Sequence, residues 1–333
     1  MTVQETSFPT PDALPEEIPV ALRGTGIIVD YPVRGKKPVR AVHGVDIVLR
    51  RGETLGLVGE SGCGKSTTGK ALIQLPRPTS GEVWLSDTNL TRLSQKELRR
   101  LRRRLQLIFQ DPIASLNPRR TAQEIVAEAL SLAGHEAPKA RAMEILESVG
   151  VDEHMAKRKP HELSGGQCQR ISIARAIAQE PEVLICDEPV SALDVSVQAQ
   201  VLNLLEKMKT EHSLSMIFIS HDLAVVSNIS DRVAVMYLGR ICEVAPSTEL
   251  YRKPRHHYTD LLLSSVPKPG VERTVRESAA KDAGSMKYDG AGCPFAKRCP
   301  AATEICRTTV PVLDTLGEGH HVACHHPLPA EAV

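Results

Sequence analysis

The sequence lacks a long apolar segment, an excess of charge of either sign and an export-type N-terminus. No run of roughly 18 or more apolar residues occurs, and residues 1–20 carry acidic residues and prolines instead of a basic stretch followed by an apolar one. Lys and Arg number 41 against 40 Asp and Glu, so the formal net charge is +1. We therefore expect a chain that neither spans a membrane nor is secreted, and no general affinity for nucleic acid.

Internal repeats and low-complexity tracts are also missing, and short apolar runs alternate with proline-free segments. The runs predict strands at 26–31, 45–49, 53–58, 81–85, 105–109, 182–187, 215–220 and 232–237. Helices are predicted at 65–75, 95–104, 122–132, 138–149, from 164 onwards, 196–209 and 223–229. This alternation predicts an α/β fold with a parallel sheet, in which ligands collect at the carboxyl ends of the strands.

The stretch Gly59–Thr67 joins one predicted strand to the following helix, and its glycines permit a concave turn. Backbone N–H groups of such a turn, together with the helix dipole, bind phosphate oxygens. Lys65 is predicted to reach the β- and γ-phosphates, and the Ser66 hydroxyl to bind Mg²⁺. A glycine-rich turn that matches by chance is the alternative, which the strand and helix context disfavours. The predicted phosphate cradle comprises Gly59, Ser61, Gly62, Cys63, Gly64, Lys65, Ser66 and Thr67.

Two carboxylates, Asp187 and Glu188, end the apolar run at 182–187. Acidic residues at this position can face the γ-phosphate of a bound nucleotide. We expect Asp187 to bind Mg²⁺ through water and Glu188 to orient and deprotonate the attacking water. The alternative is an acidic pair that simply faces solvent at the end of a strand.

The stretch Leu163–Gln167, LSGGQ, opens the helix that precedes this acidic strand. It offers the hydroxyl of Ser164 and the backbone amides of Gly165 and Gly166 at a helix N-terminus, which is a second phosphate-binding surface. One ATP does not need two such cradles. Taken alone, the stretch also fits an ordinary serine N-cap before an amphipathic helix.

Six motifs in this order resemble the ATP-binding cassette (ABC) transporter ATPases over about residues 24–264: GESGCGKST at 59–67, FQDP at 109–112, LSGGQ at 163–167, LICDEP at 184–189, SALD at 191–194 and SHD at 220–222. The resemblance implies a P-loop NTPase fold with a mixed sheet, an antiparallel β subdomain and an inserted helical subdomain at about 112–180. It implies that Tyr31 stacks on adenine, that Gln110 contacts Mg²⁺ and the attacking water, and that His221 contacts the γ-phosphate.

The same resemblance implies that two ATP molecules are sandwiched between two such subunits. Ser164, Gly165, Gly166 and Gln167 would then serve the site of the partner subunit, with Asp194 at the same interface. Cys168 departs from the family pattern, in which the residue after LSGGQ is mostly basic or polar. All other named motif residues have their usual chemical type, so a hydrolysing site is expected.

Three further stretches resemble the oligopeptide and dipeptide importers of bacteria, most closely the second of their two ATPase subunits: SLNPR at 115–119, EPVSALDVS at 188–196 and PRHHYT at 254–259. This implies a heterodimer with a second ABC ATPase, two membrane permeases and an extracytoplasmic peptide-binding protein, at the cytoplasmic face of the inner membrane. Nickel and glutathione importers share these stretches and stay open as alternatives. A soluble ABC protein without transport is a further one, although such proteins usually carry two cassettes.

Four of the eight cysteines cluster near the C-terminus, at Cys293, Cys299, Cys306 and Cys324. Without an export signal, such a cluster indicates metal ligation more than a disulfide framework. Four thiolates can hold a [4Fe–4S] cluster or Zn²⁺, and the wide gaps between them favour the cluster, which some peptide-importer ATPases carry. His320, His321, His325 and His326 are alternative ligands, but we expect them to be exposed. The predicted bounds are a disordered tail at 1–20, the ATPase domain at 21–264, and a linker with the cysteine-rich segment at 265–333.

Overall fold

The computed structural model describes residues 19–35, 37–265, 288–317 and 319–329. Most of the predicted tail at 1–20 and of the predicted linker therefore lies outside the described residues. The strands are β1 Val20–Tyr31, β2 Val39–Arg50, β3 Thr54–Val58, β4 Ser80–Leu85, β5 Thr88–Asn89, β6 Leu105–Ile108, β7 Val183–Asp187, β8 Ser215–Ser220, β9 Arg232–Tyr237, β10 Arg240–Pro246, β11 Asp314–Gly317 and β12 His320–Val322.

The helices match most of the predicted segments within a few residues. They are α1 Lys65–Leu72, α2 Gln95–Leu101, α3 Pro112–Ser115, α4 Ala122–Ala133, α5 Pro138–Ser148, α6 Glu153–Ala156, α7 Gly165–Ile177, α8 Val195–Glu211, α9 Leu223–Ile229, α10 Ser247–Arg252, α11 His257–Ser264 and α12 Glu304–Thr308. The chain divides into two compact units. The first contains the described residues of Met1–Val48, Thr54–Thr91 and Ser220–Val333, and the second contains Leu49–Glu53 and Arg92–Ile219.

The first unit contains two kinds of strand pairing. In one sheet the order is β2-β1-β4-β5, and β1 runs antiparallel to β4. Buried and partly exposed residues alternate along much of β2, as expected for a sheet with one covered face. In the other, β3 runs parallel to β9, whereas β9–β10, β10–β12 and β12–β11 are antiparallel. The parallel sheet predicted from strand–helix alternation is therefore mixed here.

The second unit contains the parallel strands β6, β7 and β8, which pair in that order. Every residue of β7 and β8 is buried, as the continuous apolar runs predict for strands covered on both faces. Helices α4 to α6 form the predicted helical insertion. Thr121 caps α4 through a capping box with Glu124, and Gly134 ends it with a left-handed φ of 89°.

Candidate functional site

The phosphate loop, Gly59–Thr67, joins β3 to α1 in the first unit. Gly59 and Gly64 have φ angles of 153° and 106°, which side chains rarely permit. A Cβ at Gly59 would lie 2.1 Å from the Met236 carbonyl oxygen, and one at Gly64 would lie 2.6 Å from that of Ala41. Glycine is therefore required at both positions because the backbone of β9 and β2 lies against the loop.

Lys65 is nearly buried at 4% exposure and lies inside the curve of the loop. Its Nζ donates to the carbonyl oxygens of Gly59, at 2.7 Å, and Glu60, at 3.0 Å. The amine is thus held within the loop by backbone carbonyls. Burial also raises the pKa of the neighbouring Cys63 thiol, so this cysteine stays protonated and acts as a packing residue.

Tyr31 ends β1 and reaches the same loop. Its hydroxyl lies 3.4 Å from Oγ1 of Thr67, and 39% of the residue is exposed. The arrangement leaves an aromatic face available at the loop, which is the feature that stacking on a base requires. Tyr31 and Thr67, which are 36 positions apart in the chain, therefore lie next to each other, and the stacking of Tyr31 on adenine stays a prediction.

The loop also has contacts that motif reasoning missed. The N–H of Glu60 donates to the Tyr258 hydroxyl at 2.9 Å, and the Glu60 carboxyl group accepts two hydrogen bonds from Arg298. Tyr258 belongs to the PRHHYT stretch and Arg298 to the cysteine-rich segment. No local signal in the sequence links either stretch to Glu60.

His221 lies between β8 and α9 and is exposed. The following residue, Asp222, caps α9 by accepting hydrogen bonds from the N–H groups of Ala224 and Val225, at 2.9 and 3.2 Å. His221 is therefore an exposed residue in the turn that joins the end of β8 to the start of α9, and it is not part of the core.

In the second unit, Asp187 is the last residue of β7 and is only 1% exposed. Glu188 follows it with a left-handed φ of 48°, and its N–H donates to the Ile219 carbonyl at 2.9 Å. A non-glycine residue in this region stores about 1 kcal/mol or more of backbone strain, which persists only where the surroundings enforce it. The hydrogen bond to Ile219 holds this turn at the end of β7.

Gln110 follows β6 and donates from Nε2 to Oε2 of Glu188 at 2.9 Å. These two residues are 78 positions apart in the chain. The parallel pairing of β6 with β7 explains the contact, because it brings the carboxyl ends of both strands to the same edge. An amide and a carboxylate joined in this way can jointly orient a water molecule.

The LSGGQ stretch opens α7 with Ser164 at the N-cap. The Ser164 hydroxyl accepts from the N–H of Gln167 at 3.3 Å, and the Gln167 side chain accepts from the N–H of Ser164 at 2.9 Å. The stretch predicted to bind phosphate therefore forms a closed capping box. Gly166 packs on α8, since a Cβ there would lie 2.6 Å from Cγ1 of Val197.

Asp194 lies at the N-cap of α8. Its carboxylate accepts from the Ser196 hydroxyl at 2.8 Å and from the Val197 N–H at 3.1 Å, and these bonds lower its pKa. Because Gly166 contacts Val197, the two stretches predicted to face a partner subunit are neighbours within this unit. The unusual Cys168 is fully buried, with its Sγ 3.4 Å from the Pro160 carbonyl, so it is a core residue of α7.

The four C-terminal cysteines lie in the first unit. Burial raises the pKa of Cys293, Cys299 and Cys324, the last to about 11, and repulsion from a neighbouring cysteine in its thiolate form acts in the same direction. The N–H of Cys293 also donates to the Cys306 carbonyl at 2.7 Å. The donors thus fit a metal group in kind and number, and they share one neighbourhood.

The geometry of these thiols does not match the predicted metal site. Within the described part of the chain, no group of three or more His, Cys, Asp or Glu side chains is arranged to hold a metal ion. The predicted exposure of the histidines is wrong for His321, which is buried, and for His320, which lies 2.7 Å from the buried Glu243. Both imidazoles are held by hydrogen bonds, since Nδ1 of His321 lies 3.0 Å from the Thr315 hydroxyl.

The chain belongs to the ABC transporter family. Residues 42–191 match the model of the ABC transporter family, and residues 242–306 match that of the oligopeptide/dipeptide transporter C-terminal region. The chain is accordingly an ABC ATPase that binds ATP with Mg²⁺ and couples its hydrolysis to transport. Among the described residues, no helix is both long and apolar enough to cross a membrane.

Similar proteins include the oligopeptide transport ATP-binding protein AppF of Bacillus subtilis (strain 168). It is 48% identical over 294 residues, which cover 86% of this chain and 89% of AppF. Solved structures include the ATP-binding cassette MJ0796, in a dimeric post-hydrolysis state bound to ADP and Pi, at 30% identity and a TM-score of 0.63. That match covers 68% of this chain and 98% of MJ0796. The protein cbiO1 of Clostridium perfringens is 27% identical with a TM-score of 0.61, over 70% and 91% of the two chains.

Proposed function

We propose that this chain energises the import of dipeptides and oligopeptides through a membrane ABC transporter. The observation that carries the proposal is the likeness to an oligopeptide transport ATP-binding protein over 86% of the chain. The match of residues 242–306 to the C-terminal region of oligopeptide and dipeptide transporters supports it independently, because that region lies mostly outside the ATPase motifs.

The proposed partners are a second ABC ATPase that forms a heterodimer with this chain, two membrane permeases and an extracytoplasmic peptide-binding protein. Nucleic acid is not a proposed partner. The chain would lie at the cytoplasmic face of the inner membrane, held there by the permeases. Two apolar side chains that flank Gln110 support a protein-contacting surface, since Phe109 is 39% exposed and Ile113 is 48% exposed.

The residues of the first unit would hold the nucleotide. Tyr31 would stack on adenine, and the phosphate loop would surround the triphosphate with backbone N–H groups. Lys65 would exchange its bonds to the Gly59 and Glu60 carbonyls for bonds to phosphate oxygens. His221 would donate a hydrogen bond to the γ-phosphate from its exposed position after β8.

The residues of the second unit would provide the reacting water and the contacts to a partner nucleotide. Glu188 would accept the proton of the attacking water, with Gln110 holding its carboxylate and orienting that water. Gln110 and Asp187 would bind Mg²⁺, which neutralises phosphate charge when bound, and Ser66 of the first unit is proposed as a further ligand. Ser164, Gly165, Gly166, Gln167 and Asp194 would serve the nucleotide bound by the second ATPase.

Replacing Glu188 with glutamine tests the assignment of the base. Glu188→Gln keeps the shape of the side chain and removes its ability to accept a proton. We expect ATP binding to the purified chain to stay within about twofold of wild type, and hydrolysis in the reconstituted transporter to fall at least about a hundredfold.

Glu180→Gln is the matched control, because Glu180 is an exposed glutamate of the same unit and has no proposed role in hydrolysis. Its hydrolysis rate should equal that of wild type. If Glu188→Gln hydrolyses ATP at the wild-type rate in the assembled transporter, Glu188 is not the base.

Uptake by whole cells tests the substrate class. Disruption of the chain should abolish the uptake of labelled di- and oligopeptides and leave nickel and glutathione uptake intact. Loss of nickel or glutathione uptake alone would assign the chain to an importer of that substrate.

A protein that never co-purifies with membrane subunits from a detergent extract would instead be an ABC ATPase without a transport role.

For the cysteine-rich segment, we propose a [4Fe–4S] cluster held by Cys293, Cys299, Cys306 and Cys324, with Zn²⁺ as the alternative. The type and number of these side chains support the proposal, as does the hydrogen bond from the Cys293 N–H to the Cys306 carbonyl at 2.7 Å. Anaerobically purified protein should show the broad visible absorption of an iron–sulfur cluster and about four iron atoms per chain. Zinc without iron in elemental analysis would select the alternative, and the absence of both metals would exclude a metal site.

A further inference from the structure

Glu60 is the second residue of the phosphate loop and carries a negative charge where a polyanion is bound. Its carboxyl group is not directed freely into solvent, because Arg298 binds both of its oxygens. Nη1 of Arg298 lies 3.0 Å from Oε2, and Nη2 lies 3.0 Å from Oε1. This is the paired geometry in which a guanidinium group binds a carboxylate most strongly.

Arg298 is itself held rigidly. Its side chain is 8% exposed, and Nη1 also donates to the Tyr237 hydroxyl at 3.2 Å. The guanidinium group lies 5.6 Å from the ring centroids of both Tyr237 and Phe295, within the range of cation–π attraction. The arginine therefore has a defined position before any nucleotide binds.

The aromatic residues around Arg298 also hold the backbone of the phosphate loop at Glu60. Tyr258 accepts from the Glu60 N–H, and its ring lies 4.5 Å from that of Tyr237 and 5.4 Å from that of Phe295. All three aromatic residues are at most 2% exposed. Since Phe295 and Arg298 lie between Cys293 and Cys299, the cysteine-rich segment contacts the phosphate loop directly.

We propose that Arg298 is a positioning residue for nucleotide binding, which neutralises Glu60 and fixes the start of the phosphate loop. Without Arg298, the Glu60 carboxylate would repel the phosphates that the loop is built to receive. The cysteine-rich segment thereby controls the affinity of the loop for ATP. The inference rests on the nucleotide binding proposed for Gly59–Thr67.

The experiment measures the Kd of Mg²⁺-ATP by calorimetry on the purified full-length chain and three variants. Arg298→Met removes the charge and keeps much of the side-chain bulk, and we expect about tenfold weaker binding, or about 1.4 kcal/mol. Arg298→Lys keeps the charge without the paired hydrogen bonds and should recover part of this loss. Glu60→Gln combined with Arg298→Met should bind ATP more tightly than Arg298→Met alone, because the repelling charge is gone.

Lys297→Met is the matched control, since Lys297 is the exposed neighbour of Arg298 and carries the same charge. Its Kd should equal that of wild type. Glu60→Gln alone keeps the proposal testable if Arg298→Met does not fold, because it should bind ATP at least as tightly as wild type.

A folded Arg298→Met variant with wild-type affinity would overturn the inference. So would a double variant no better than the single one, or weaker ATP binding by Glu60→Gln alone. If the wild-type chain itself does not bind ATP, the proposed function fails instead, so the two failures are distinguishable.

Discussion

The N-termini of helices α1 and α7 are both proposed to bind phosphate, yet their first turns are capped in opposite ways. At α1 the N-cap is Gly64 in a left-handed conformation, and no side chain caps the helix. At α7 the N-cap is Ser164, and a full capping box joins Ser164 and Gln167. A helix N-terminus without a side-chain cap keeps its dipole and N–H groups for an anion. A closed capping box already uses part of that capacity.

The two helix N-termini also differ in which residues hold them in place. The phosphate loop before α1 is held from outside by Tyr258 and Arg298, whereas α7 is held by its own first turn. A ligand at α1 therefore meets a preformed cradle. A phosphate at α7 must compete with the Ser164–Gln167 bonds, a contribution of about 1 kcal/mol. This difference predicts tight binding of ATP by the isolated chain and weak binding at the LSGGQ surface until a partner supplies its nucleotide.

The largest effect is expected for Lys65→Met. Lys65 would make charge-assisted bonds to two phosphates, each contributing about 1.5–3 kcal/mol. We expect the Kd of Mg²⁺-ATP to rise about a thousandfold, which corresponds to about 4 kcal/mol. Calorimetry with Lys70→Met as control checks this, because Lys70 is a lysine of the same helix with no proposed role. Similar affinities of the two variants would contradict the role of Lys65.

Acid should destabilise the residues that hold the phosphate loop before α1, because His256 is bonded to Tyr258. No equivalent histidine contact holds the capping box of α7 in the described structure. This residue is 2% exposed and packs on Phe295, and its Nδ1 accepts from the Tyr258 N–H at 3.0 Å. Burial lowers its pKa from 6.5 to about 4, a shift that the charge of Glu243 opposes and that of His257 reinforces. The folded chain thus keeps His256 neutral at a pH where the unfolded chain is protonated.

The free energy of unfolding should therefore fall as the pH decreases from 6.5 to about 4, by up to about 3 kcal/mol from this residue. Urea titrations across this range check the prediction. His256→Asn can still accept the Tyr258 N–H and should flatten the acid dependence, whereas His212→Asn, at an exposed histidine, should not. An unchanged slope in His256→Asn would show that His256 does not carry this acid sensitivity.

Local patterns predicted the elements that carry the motifs. The bounds of β8, α9 and β9 are those predicted, because continuous apolar runs end at polar residues such as Ser220 and Asp231. Helix α1 starts at the predicted residue, and α7 starts one residue after the predicted Ser164, which is its N-cap. In each case, the residues that decide the structure are neighbours in the chain, so periodicity and capping signals contain the information. The domain bounds and the roles of the site residues stay predictions.

Contacts between distant residues could not be predicted in this way. Glu60 and Arg298 are 238 positions apart, and Gln110 and Glu188 are 78 apart. Strand β10 was missed as well, because its partners β9 and β12 reverse the alternation that indicated a parallel sheet. The histidines before Cys324 were expected to be exposed since nothing local indicates that Glu243, with its side chain fully buried, binds His320.

A smaller effect is expected for Ser164→Ala, which removes the α7 cap. We expect a loss of about 1 kcal/mol in the free energy of unfolding and no change in the ATP affinity of the isolated chain. Thr121→Ala removes an equivalent capping box from α4 and should cost the same stability. In the assembled transporter, only Ser164→Ala should lower hydrolysis, by about tenfold or more. Equal rates for the two variants would mean that Ser164 is only a helix cap.

The smallest effect is expected for Gln167→Ala, which opens the α7 capping box from its other side. The Gln167 side chain accepts from the Ser164 N–H and donates from Nε2 to Sδ of Met155 at 3.1 Å, and both contacts are lost in this variant. The Ser164 hydroxyl keeps its bond to the Gln167 backbone N–H. We expect a loss of about 0.5 kcal/mol in the free energy of unfolding, measured by urea titration. Glu124→Ala, the equivalent change at α4, should lose a similar amount. If Gln167→Ala slows hydrolysis in the assembled transporter as strongly as Ser164→Ala, the Gln167 side chain contributes as much to the partner's nucleotide site as the Ser164 hydroxyl does.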